Sequence, residues 1–348
     1  MNLHTPPAIA NVVPPAPPET ALPAAPRDWA PLLLVPALML ITLPLVADFP
    51  TWITLTVAGL AMGMMIFLMA SGLTLVFGLM DVLNFGHGAF VAVGAYAATM
   101  VLIPMQASLE VDSLMLNLGV LALAITVAMV VTALLGWAFE RIIIAPVYGQ
   151  HLKQILITMG GMIVAEQLIN VIWGAEQIPL PLPTALRGAI IVGDAAIEKY
   201  RLVAVVIGLV VFVGMSLILN RTKLGLLIRA GVENREMVEA MGYRIRRLFV
   251  AVFAAGSALA GLGGVMWGLY KETLTAGIGA EIVVMMFVVI IIGGLGSLGG
   301  CFIGALLVAM VGNYAGFLAP KVALVSNIGV MMLILLWRPA GMYSNLRR

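Results

Sequence analysis

Residues 72–96 read GLTLVFGLMDVLNFGHGAFVAVGAY. Two apolar segments stand on either side of a glycine-rich break that carries Asp81, Asn84 and His87. Glycine interrupts helices and lets backbones approach closely, and unwound backbone in an apolar setting has to line a cavity or be buried in protein. The pattern therefore predicts two apolar helices joined by a polar break.

The composition of the whole chain places these helices in lipid. Of the 348 residues, 62% are hydrophobic and 10% are charged, with a mean hydropathy of +1.12. Soluble domains have about 45–50% apolar and about 25% charged residues, so a water-soluble enzyme, a secreted disulfide scaffold and a disordered protein are excluded. The net charge of +2 predicts no nucleic-acid binding. One cysteine, Cys301, and three histidines far apart in the chain predict no disulfide and no metal site.

Apolar segments alternate with short polar breaks from Trp29 onward. About 20 apolar residues are needed to cross the hydrocarbon core, and each crossing segment has to be a helix because lipid offers the backbone no hydrogen bonds. We therefore predict an all-α polytopic membrane protein with about ten transmembrane helices. Of these, 281–293 is short, and 53–79 is long enough to contain a break. The predicted spans are 30–47, 53–79, 85–104, 115–139, 154–173, 202–219, 248–269, 281–293, 298–317 and 322–337.

The two ends of the chain flank this transmembrane domain, which we place at 29–343. Residues 1–28 contain eight prolines and are predicted to be a disordered cytoplasmic tail. They have neither a basic n-region nor an uninterrupted apolar h-region, so we do not expect a cleavable signal peptide. Residues 344–348 are predicted to be a short cytoplasmic C-terminus.

The basic residues predict the orientation. If both ends are cytoplasmic, 13 of the 18 Lys and Arg residues lie inside and five lie outside, which satisfies the positive-inside rule. Two connections are longer than turns. Residues 174–201 form an external loop with three prolines, and residues 220–247 form an internal loop with seven of the basic residues.

The internal loop contains a predicted docking element. From Ala230 to Met241 it has the pattern of a short amphipathic helix, with Gly242 as its C-cap and the basic residues Arg244, Arg246 and Arg247 after it. The alternative is an ordinary basic loop against the membrane. The apolar stripe comprises Ala230, Met237, Val238 and Met241, while Glu233, Glu236 and Glu239 lie elsewhere on the helix.

A second glycine-rich break, GGLGSLGG, occupies residues 293–300 and carries no charge. Both breaks follow a span that runs from outside to inside, which suggests corresponding positions in two halves of the chain. We expect them to line a translocation path or its gate, and the alternative is close helix packing by small residues. The predicted residues of the two breaks are Asn84, Gly86, His87, Gly88, Gly294, Gly296 and Ser297.

Glu166 is predicted to lie at the middle of the span 154–173, with Gln167 and Asn170 nearby. A carboxylate at mid-membrane costs about 2.5–3.5 kcal/mol, so it should face protein or water and not lipid. Two interpretations have equal weight, namely a residue of the path or gate, and a structural hydrogen bond to a neighbouring helix.

No arrangement of residues indicates catalysis. Ser71, Ser257 and Ser297 lie among small residues without a paired His and Asp. The chain has no H-E-x-x-H and no phosphate-binding G-x-x-x-x-G-K-[ST] motif. An intramembrane enzyme is therefore the weakest of the interpretations.

Four motifs resemble one family, the branched-chain amino acid ABC importer permeases, and in particular their H-type subunit. The first is residues 72–96, where Gly86 replaces the alanine usual in the family's N-F-A-H-G core. The second is RAGVENREMVEAMGYRIRRLFVAVFAAGSALAGLGGVMWG at 229–268, which resembles the family's cytoplasmic loop and following helix. The third and fourth are VVIIIGGLGSLGGCFIGALL at 288–307 and LLWRPAGMY at 335–343. The resemblance covers roughly residues 50–343, with the four motifs in chain order.

This resemblance implies a permease subunit of the inner membrane of a bacterial cell that transports nothing alone. It would act with a homologous second permease, two ATP-binding subunits and a periplasmic solute-binding protein. The chain would bind no cofactor directly, since ATP and Mg would be bound by the partner ATPases. The helix around 230–242 would couple ATP binding to alternating access.

Two alternatives remain for the function. Permeases of the same family also serve urea, short amides and other small solutes, so the substrate stays open between these and branched-chain amino acids. A self-sufficient channel or ion-coupled secondary transporter would require charged pairs at mid-membrane, and only Glu166 lies there.

Overall fold

The computed structural model describes residues 29–233 and 235–343, which form a helical bundle. The predicted terminal segments 1–28 and 344–348 lie outside the described residues. A π-helical turn, Glu140–Ile144, and a 3-10 turn, Ala145–Val147, extend the fifth helix. In chain order the helices are α1 Ala30–Val46, α2 Phe49–Met80, α3 His87–Leu102, α4 Gln106–Glu110, α5 Leu114–Phe139, α6 His151–Trp173, α7 Lys199–Arg221, α8 Lys223–Glu233, α9 Arg235–Ala240, α10 Ile245–Lys271, α11 Ile278–Gly293, α12 Leu298–Leu318 and α13 Pro320–Trp337.

Each of the ten predicted spans coincides with one apolar helix, with ends that differ by a few residues. By length and composition, six of the described helices are able to cross a membrane, namely α2, α5 with its two added turns, α6, α7, α10 and α12. The other apolar helices, α1, α3, α11 and the Val325–Trp337 part of α13, are shorter. The prediction of an all-α polytopic membrane protein is thus confirmed.

The central helix α2 is continuous over 32 residues, without the break for which segment 53–79 had room. It begins after Asp48, whose carboxylate accepts a hydrogen bond from the Thr51 backbone N–H at 3.0 Å. Hydrogen bonding by Thr51 lowers the pKa of Asp48. At 1.5 Å per residue the helix is about 48 Å long, which exceeds the roughly 30 Å of a hydrocarbon core. It is therefore long enough to extend beyond the core.

The interior of the bundle is built on α2 and α10, which are largely buried, whereas α6 and α7 expose most of their apolar surface. Small residues bring α2 and α10 into backbone contact. A Cβ atom on Gly72 would collide with the carbonyl oxygen of Gly256, and one on Gly256 would lie 2.8 Å from the carbonyl oxygen of Gly72. Close approach at glycine is how apolar helices gain packing energy in a membrane.

The helices α3 and α11 are half-length elements of 16 residues each, about 24 Å long. Each follows a long helix through a short non-helical segment, 81–86 after α2 and 272–277 after α10. The long helices run antiparallel, because Gly72 of α2 faces Gly256 and Met69 faces Gly263. The two units of long helix, break and half-helix are therefore inverted relative to each other.

Sequence and backbone geometry agree on this inverted repeat. LNFGHGA at 83–89 aligns with LTAGIGA at 274–280, with identical residues at four positions. The N-cap glycines have nearly equal dihedral angles, φ −70° and ψ 0° at Gly86 against φ −74° and ψ −2° at Gly277. Our prediction that the break at 293–300 is the counterpart of the first one is therefore wrong, since Gly294 and Gly296 have positive φ and lie at the other end of α11.

The predicted external loop 174–201 contains regular structure. Strands β2 Ala189–Val192 and β3 Ala195–Glu198 form a hairpin, and β1 Ile178–Pro179 pairs antiparallel with β4 Thr273–Leu274. The Leu180 backbone N–H also donates to the Glu272 carbonyl oxygen at 2.9 Å. The loop is thus attached to the segment that leads into α11.

Candidate translocation site

The break after α2 returns the chain into the interior of the bundle. His87, the first residue of α3, is buried with its Nε2 3.2 Å from the carbonyl oxygen of Met69. Met69 precedes the end of α2 at Met80 by 11 residues, or about 16 Å of helix. The half-helix α3 therefore begins deep within the bundle, where its unwound entry is shielded from lipid.

Asn84 and His87 hold unused hydrogen-bonding capacity in this interior. Both side chains are fully buried. Within the described residues, neither polar atom of the Asn84 amide has a hydrogen-bond partner, nor does Nδ1 of His87. Buried polar groups are nearly always paired, with protein or with water, because an unpaired group costs about 1–3 kcal/mol. These two side chains are therefore suited to a water or a polar solute at this depth.

Helix α6 holds the break in place through Thr158, which the sequence analysis did not identify. The Phe85 backbone N–H donates to Thr158 Oγ1 at 3.2 Å, and the Thr158 hydroxyl donates to the Gln154 carbonyl oxygen at 2.7 Å. A Cβ on Gly86 would lie 2.9 Å from the Thr158 carbonyl oxygen. The alanine usual in the family at position 86 would thus require a small shift of α6 here.

The first turns of α3 and α11 meet at Gly88 and Gly279. A Cβ atom on either glycine would collide with the carbonyl oxygen of the other. Each half-helix thereby directs its N-terminus, the positive end of the helix dipole, into the middle of the bundle. Sequence analysis found Gly88 but missed residues 274–280, although their similarity to 83–89 was the signal.

Glu166 lies on α6 beside the N-terminus of α11. Its side chain is half-buried, and a Cβ on Gly277, the N-cap residue of α11, would lie 3.9 Å from its Oε1. Thr275, Ala276 and Gly277 are also partly accessible. This places a carboxylate, accessible backbone and a helix N-terminus on one side of the bundle. The position agrees with a carboxylate that avoids full exposure to lipid.

The predicted residues Gly294, Gly296 and Ser297 form a separate site at the C-terminal end of α11. Ser297 caps α12 by accepting a hydrogen bond from the Gly300 N–H at 3.1 Å. The closing segment of the chain covers this turn, since the Met342 and Tyr343 N–H groups donate to the carbonyl oxygens of Ile292 and Gly293. The length of α11 separates it from Gly279 by about 20 Å. The predicted path residues therefore lie in two separate groups along the bundle, one near Asn84–Gly88 and one at Gly294–Ser297.

The predicted docking helix is two helices instead of one. Residues 230–241 are divided between α8 and α9, so the apolar stripe is not continuous. Val238 is buried at 2% exposure, Ala230 is half-buried, and Met237 and Met241 are exposed. A single stripe containing both Met237 and Val238 is wrong, because adjacent residues of a helix point about 100° apart. The Glu233 side chain lies outside the described part of the chain.

The predicted C-cap at Gly242 is confirmed. Its φ is +88°, and the N–H groups of Gly242 and Tyr243 donate to the carbonyl oxygens of Glu239 and Val238. This pair of hydrogen bonds is a Schellman motif, which requires a left-handed residue and so favours glycine. The motif ends α9 rigidly and leaves Met237 and Met241 at its surface.

Comparison with known proteins agrees with these features. The profile of the family described as branched-chain amino acid transport system, permease component, matches residues 55–336. The chain is 28% identical over 291 residues to the high-affinity branched-chain amino acid transport system permease protein BraD of Pseudomonas aeruginosa, covering 82% of this chain and 93% of that protein. It is 25% identical over 291 residues to the permease protein LivH of Escherichia coli K12, covering 81% and 92%.

A second type of permease is also similar. The probable branched-chain amino acid transport permease protein LivM of Methanocaldococcus jannaschii is 26% identical over 233 residues, covering 64% of this chain and 63% of that protein. No solved structure matches the chain significantly. The profile match spans both half-helices, the α8–α9 element and the turn at 293–297. The chain belongs to the family of branched-chain amino acid transport system permeases.

Proposed function

We propose that this chain is a membrane-spanning permease subunit of an ATP-driven ABC importer, and that the importer carries branched-chain amino acids. The observation that carries the proposal is the meeting of two inverted half-helices, α3 and α11, inside a member of this family. Unwound segments and half-helix ends near mid-membrane are where many transporters bind their solutes. The names of the relatives favour branched-chain amino acids over urea or short amides.

All ten apolar helices cross the bacterial inner membrane in this proposal, and both termini are cytoplasmic. The 13-to-5 distribution of basic residues supports the orientation. The half-helices each cross in combination with their extended segments, since 16 helical residues are shorter than the roughly 30 Å core. The β1–β4 and β2–β3 pairs then lie on the periplasmic side.

The complete importer would contain two ATP-binding subunits, a second homologous permease and a periplasmic solute-binding protein. ATP and Mg belong to the ATP-binding subunits, because this sequence has no phosphate-binding loop. The similarity to both LivH and LivM supports a pair of related permeases. The largely exposed apolar faces of α6 and α7 offer surface for lipid and for a second permease.

Transport in this proposal follows alternating access. The ATPases move the α8–α9 element, with Met237, Met241 and Gly242 at the contact and Ala230 and Val238 packed behind it. That motion shifts the crossing of α3 and α11 at Gly88 and Gly279. Asn84, His87 and Glu166 then line the path, where they offer hydrogen bonds and one negative charge to a zwitterionic solute. The turn at Gly294–Ser297 serves as the cytoplasmic end of the path.

Reconstitution tests the proposal. The permease should co-purify with ATP-binding subunits, and proteoliposomes with the complete complex should take up leucine, isoleucine and valine only with ATP and the binding protein. Passage of solute through the permease alone would indicate a self-sufficient channel and contradict the proposal. Uptake of urea or acetamide but not leucine would retain the importer and overturn its substrate.

A further inference from the structure

A cavity of about 570 Å³ lies where α5 ends and α10 begins. Its lining contains four arginines, Arg141, Arg244, Arg246 and Arg247, and we refer to it as the arginine pocket. The other lining residues are Trp137, Glu239, Tyr243, Ile245 and Val250. The pocket is thus bounded by one transmembrane helix end, one transmembrane helix start and the Schellman turn after α9.

The charges in the arginine pocket are unbalanced. The lining contains four guanidinium groups and one carboxylate, that of Glu239. Within the described residues, none of the four arginines has a carboxylate oxygen within 4.0 Å. Arg141 instead lies over the ring of Trp137, with its Cζ 5.9 Å from the ring centroid. The pocket therefore offers hydrogen-bond donors and positive charge to an anion, and guanidinium groups suit phosphate in particular.

An apolar track leads from the pocket along the lipid-facing side of α5. Val130, Leu134 and Trp137 are exposed by 52%, 61% and 48% and follow each other at helical spacings of four and three. Residues at these spacings lie on one face of a helix. On the neighbouring helix α10, the small residues Ala251 and Ala255 are also exposed. They follow Arg247 at spacings of four residues, so all three lie on one face of that helix. The result is an apolar strip that ends at a group of arginines.

We infer that the arginine pocket binds the phosphate headgroup of an anionic phospholipid, with an acyl chain of that lipid along Val130, Leu134 and Trp137. The assignment to the cytoplasmic leaflet rests on the proposed orientation, but the binding itself does not depend on which solute is carried. Each basic residue near an anionic bilayer surface adds to lipid attraction, and basic pockets between transmembrane helices hold anionic headgroups. Tryptophan at the end of an apolar span marks the same interface.

The apolar strip distinguishes a lipid from a soluble phosphate compound or an acidic protein surface. A soluble anion would use the arginines alone, whereas a lipid also covers Leu134 and Trp137, which point away from the bundle toward the bilayer. Only a ligand with a charged head and a long apolar tail complements both parts.

Native mass spectrometry of the purified full-length permease tests this inference, with phosphatidylglycerol and phosphatidylcholine as the two probes. Wild-type protein should retain phosphatidylglycerol in preference to phosphatidylcholine. The variant R141Q/R244Q/R247Q should bind phosphatidylglycerol roughly 100-fold more weakly, because three basic contacts to the headgroup are removed. The charge-matched control K153Q/R221Q/K223Q changes exposed basic residues outside the pocket and should bind as the wild type does.

Two further measurements keep the inference testable if the triple variant is poorly folded. A photoreactive phosphatidylglycerol should cross-link to peptides containing residues 130–141 and 244–250 of the wild-type protein. Inorganic phosphate at millimolar concentration should not displace it. Equal retention of both lipids, equal loss in the control variant, or displacement by inorganic phosphate would each overturn the lipid assignment. The importer proposal is unaffected by these results, since no uptake is measured.

Discussion

Glu166 is the residue whose substitution we expect to reduce transport most. Its carboxylate is half-buried beside the N-cap of α11. In the proposed path it would offer a negative charge to the ammonium group of an amino acid. We expect Glu166→Leu to lower leucine uptake by the reconstituted importer by roughly tenfold or more, which corresponds to about 1.4 kcal/mol or more of lost interaction. Glu166→Gln should reduce uptake less if hydrogen bonding is the main contribution.

The neighbouring residue provides a matched control. Gln167 is exposed on the same helix, so Gln167→Leu should leave uptake close to the wild-type value. Membrane content measured by immunoblot separates transport from insertion. Full uptake with Glu166→Leu would remove this residue from the translocation path.

Gly88 is required by packing at the crossing of the half-helices. Because a Cβ there would collide with the Gly279 carbonyl oxygen, Gly88→Ala should separate α3 from α11 and cost about 1–3 kcal/mol of stability. Thermal unfolding in detergent and leucine uptake should both show the loss. We expect the same result for Gly279→Ala, since the contact is reciprocal.

Gly160 on α6 is the control for this pair, because a Cβ on it would meet no atom within 4 Å. Gly160→Ala should be neutral or slightly stabilising, as alanine favours a helix over glycine. Gly59 in α2 would be unsuitable as a control, since a Cβ there would be 3.1 Å from Met310 Cγ. Equal effects at Gly88 and Gly160 would exclude a special role for the crossing.

In α9 and its Schellman turn, different residues are available for docking and for packing, although the sequence periodicity places them on one stripe. Met237 and Met241 are exposed, whereas Val238 is buried. Met241→Asp should therefore weaken ATPase retention on co-purification while the permease remains inserted. A buried apolar anchor at a protein interface contributes roughly 2 kcal/mol, or about 30-fold in affinity. Glu236→Ala, at the rim, should have much less effect.

Val238→Asp distinguishes docking from folding of the element itself. A charge at this buried site should destabilise α9 and increase proteolysis of the segment between α7 and α10 even without partners. Met241→Asp should not increase proteolysis. Normal ATPase retention and normal uptake with Met241→Asp would contradict the docking role of this surface.

At the scale of the whole molecule, the orientation has a direct test. Ten crossings place the C-terminus and the 184–198 segment on opposite sides of the membrane. A reporter fused after Arg348 should be active in the cytoplasm, and one inserted within 184–198 should be active in the periplasm. The charge distribution supports this outcome. The same side for both reporters would show that the five apolar helices after residue 198 do not all cross the membrane, and the shorter helices α11 and α13 would be the candidates.

Backbone hydrogen bonds attach both ends of α11 to other parts of the chain. The β1–β4 pair joins the external loop to the entry of α11, and the end of α11 is held by the closing segment of the chain. The position of α11, and with it the contact of Gly279 with Gly88, is thereby linked to both the loop 174–201 and the closing segment of the chain.

The apolar segments, their number and their approximate ends followed from the sequence alone. Lipid imposes a simple rule, since every long apolar segment has to be a helix, and hydropathy shows where such segments lie. The breaks at Asn84–Gly88 and Gly294–Ser297, and the glycine cap at residue 242, were predicted for equally local reasons. Glycine and polar residues end helices wherever they interrupt an apolar run.

Tertiary structure decided which of these features meet. The contact of Gly88 with Gly279, the support of Phe85 by Thr158 and the position of Glu166 beside Gly277 join segments that are 73 to 191 residues apart in the chain. Hydropathy carries no information about such pairs, because lipid-facing and protein-facing apolar residues look alike in a membrane. The burial of Val238 and the exposure of Met241 also depended on where α8 ends and α9 begins, which packing determines and periodicity does not.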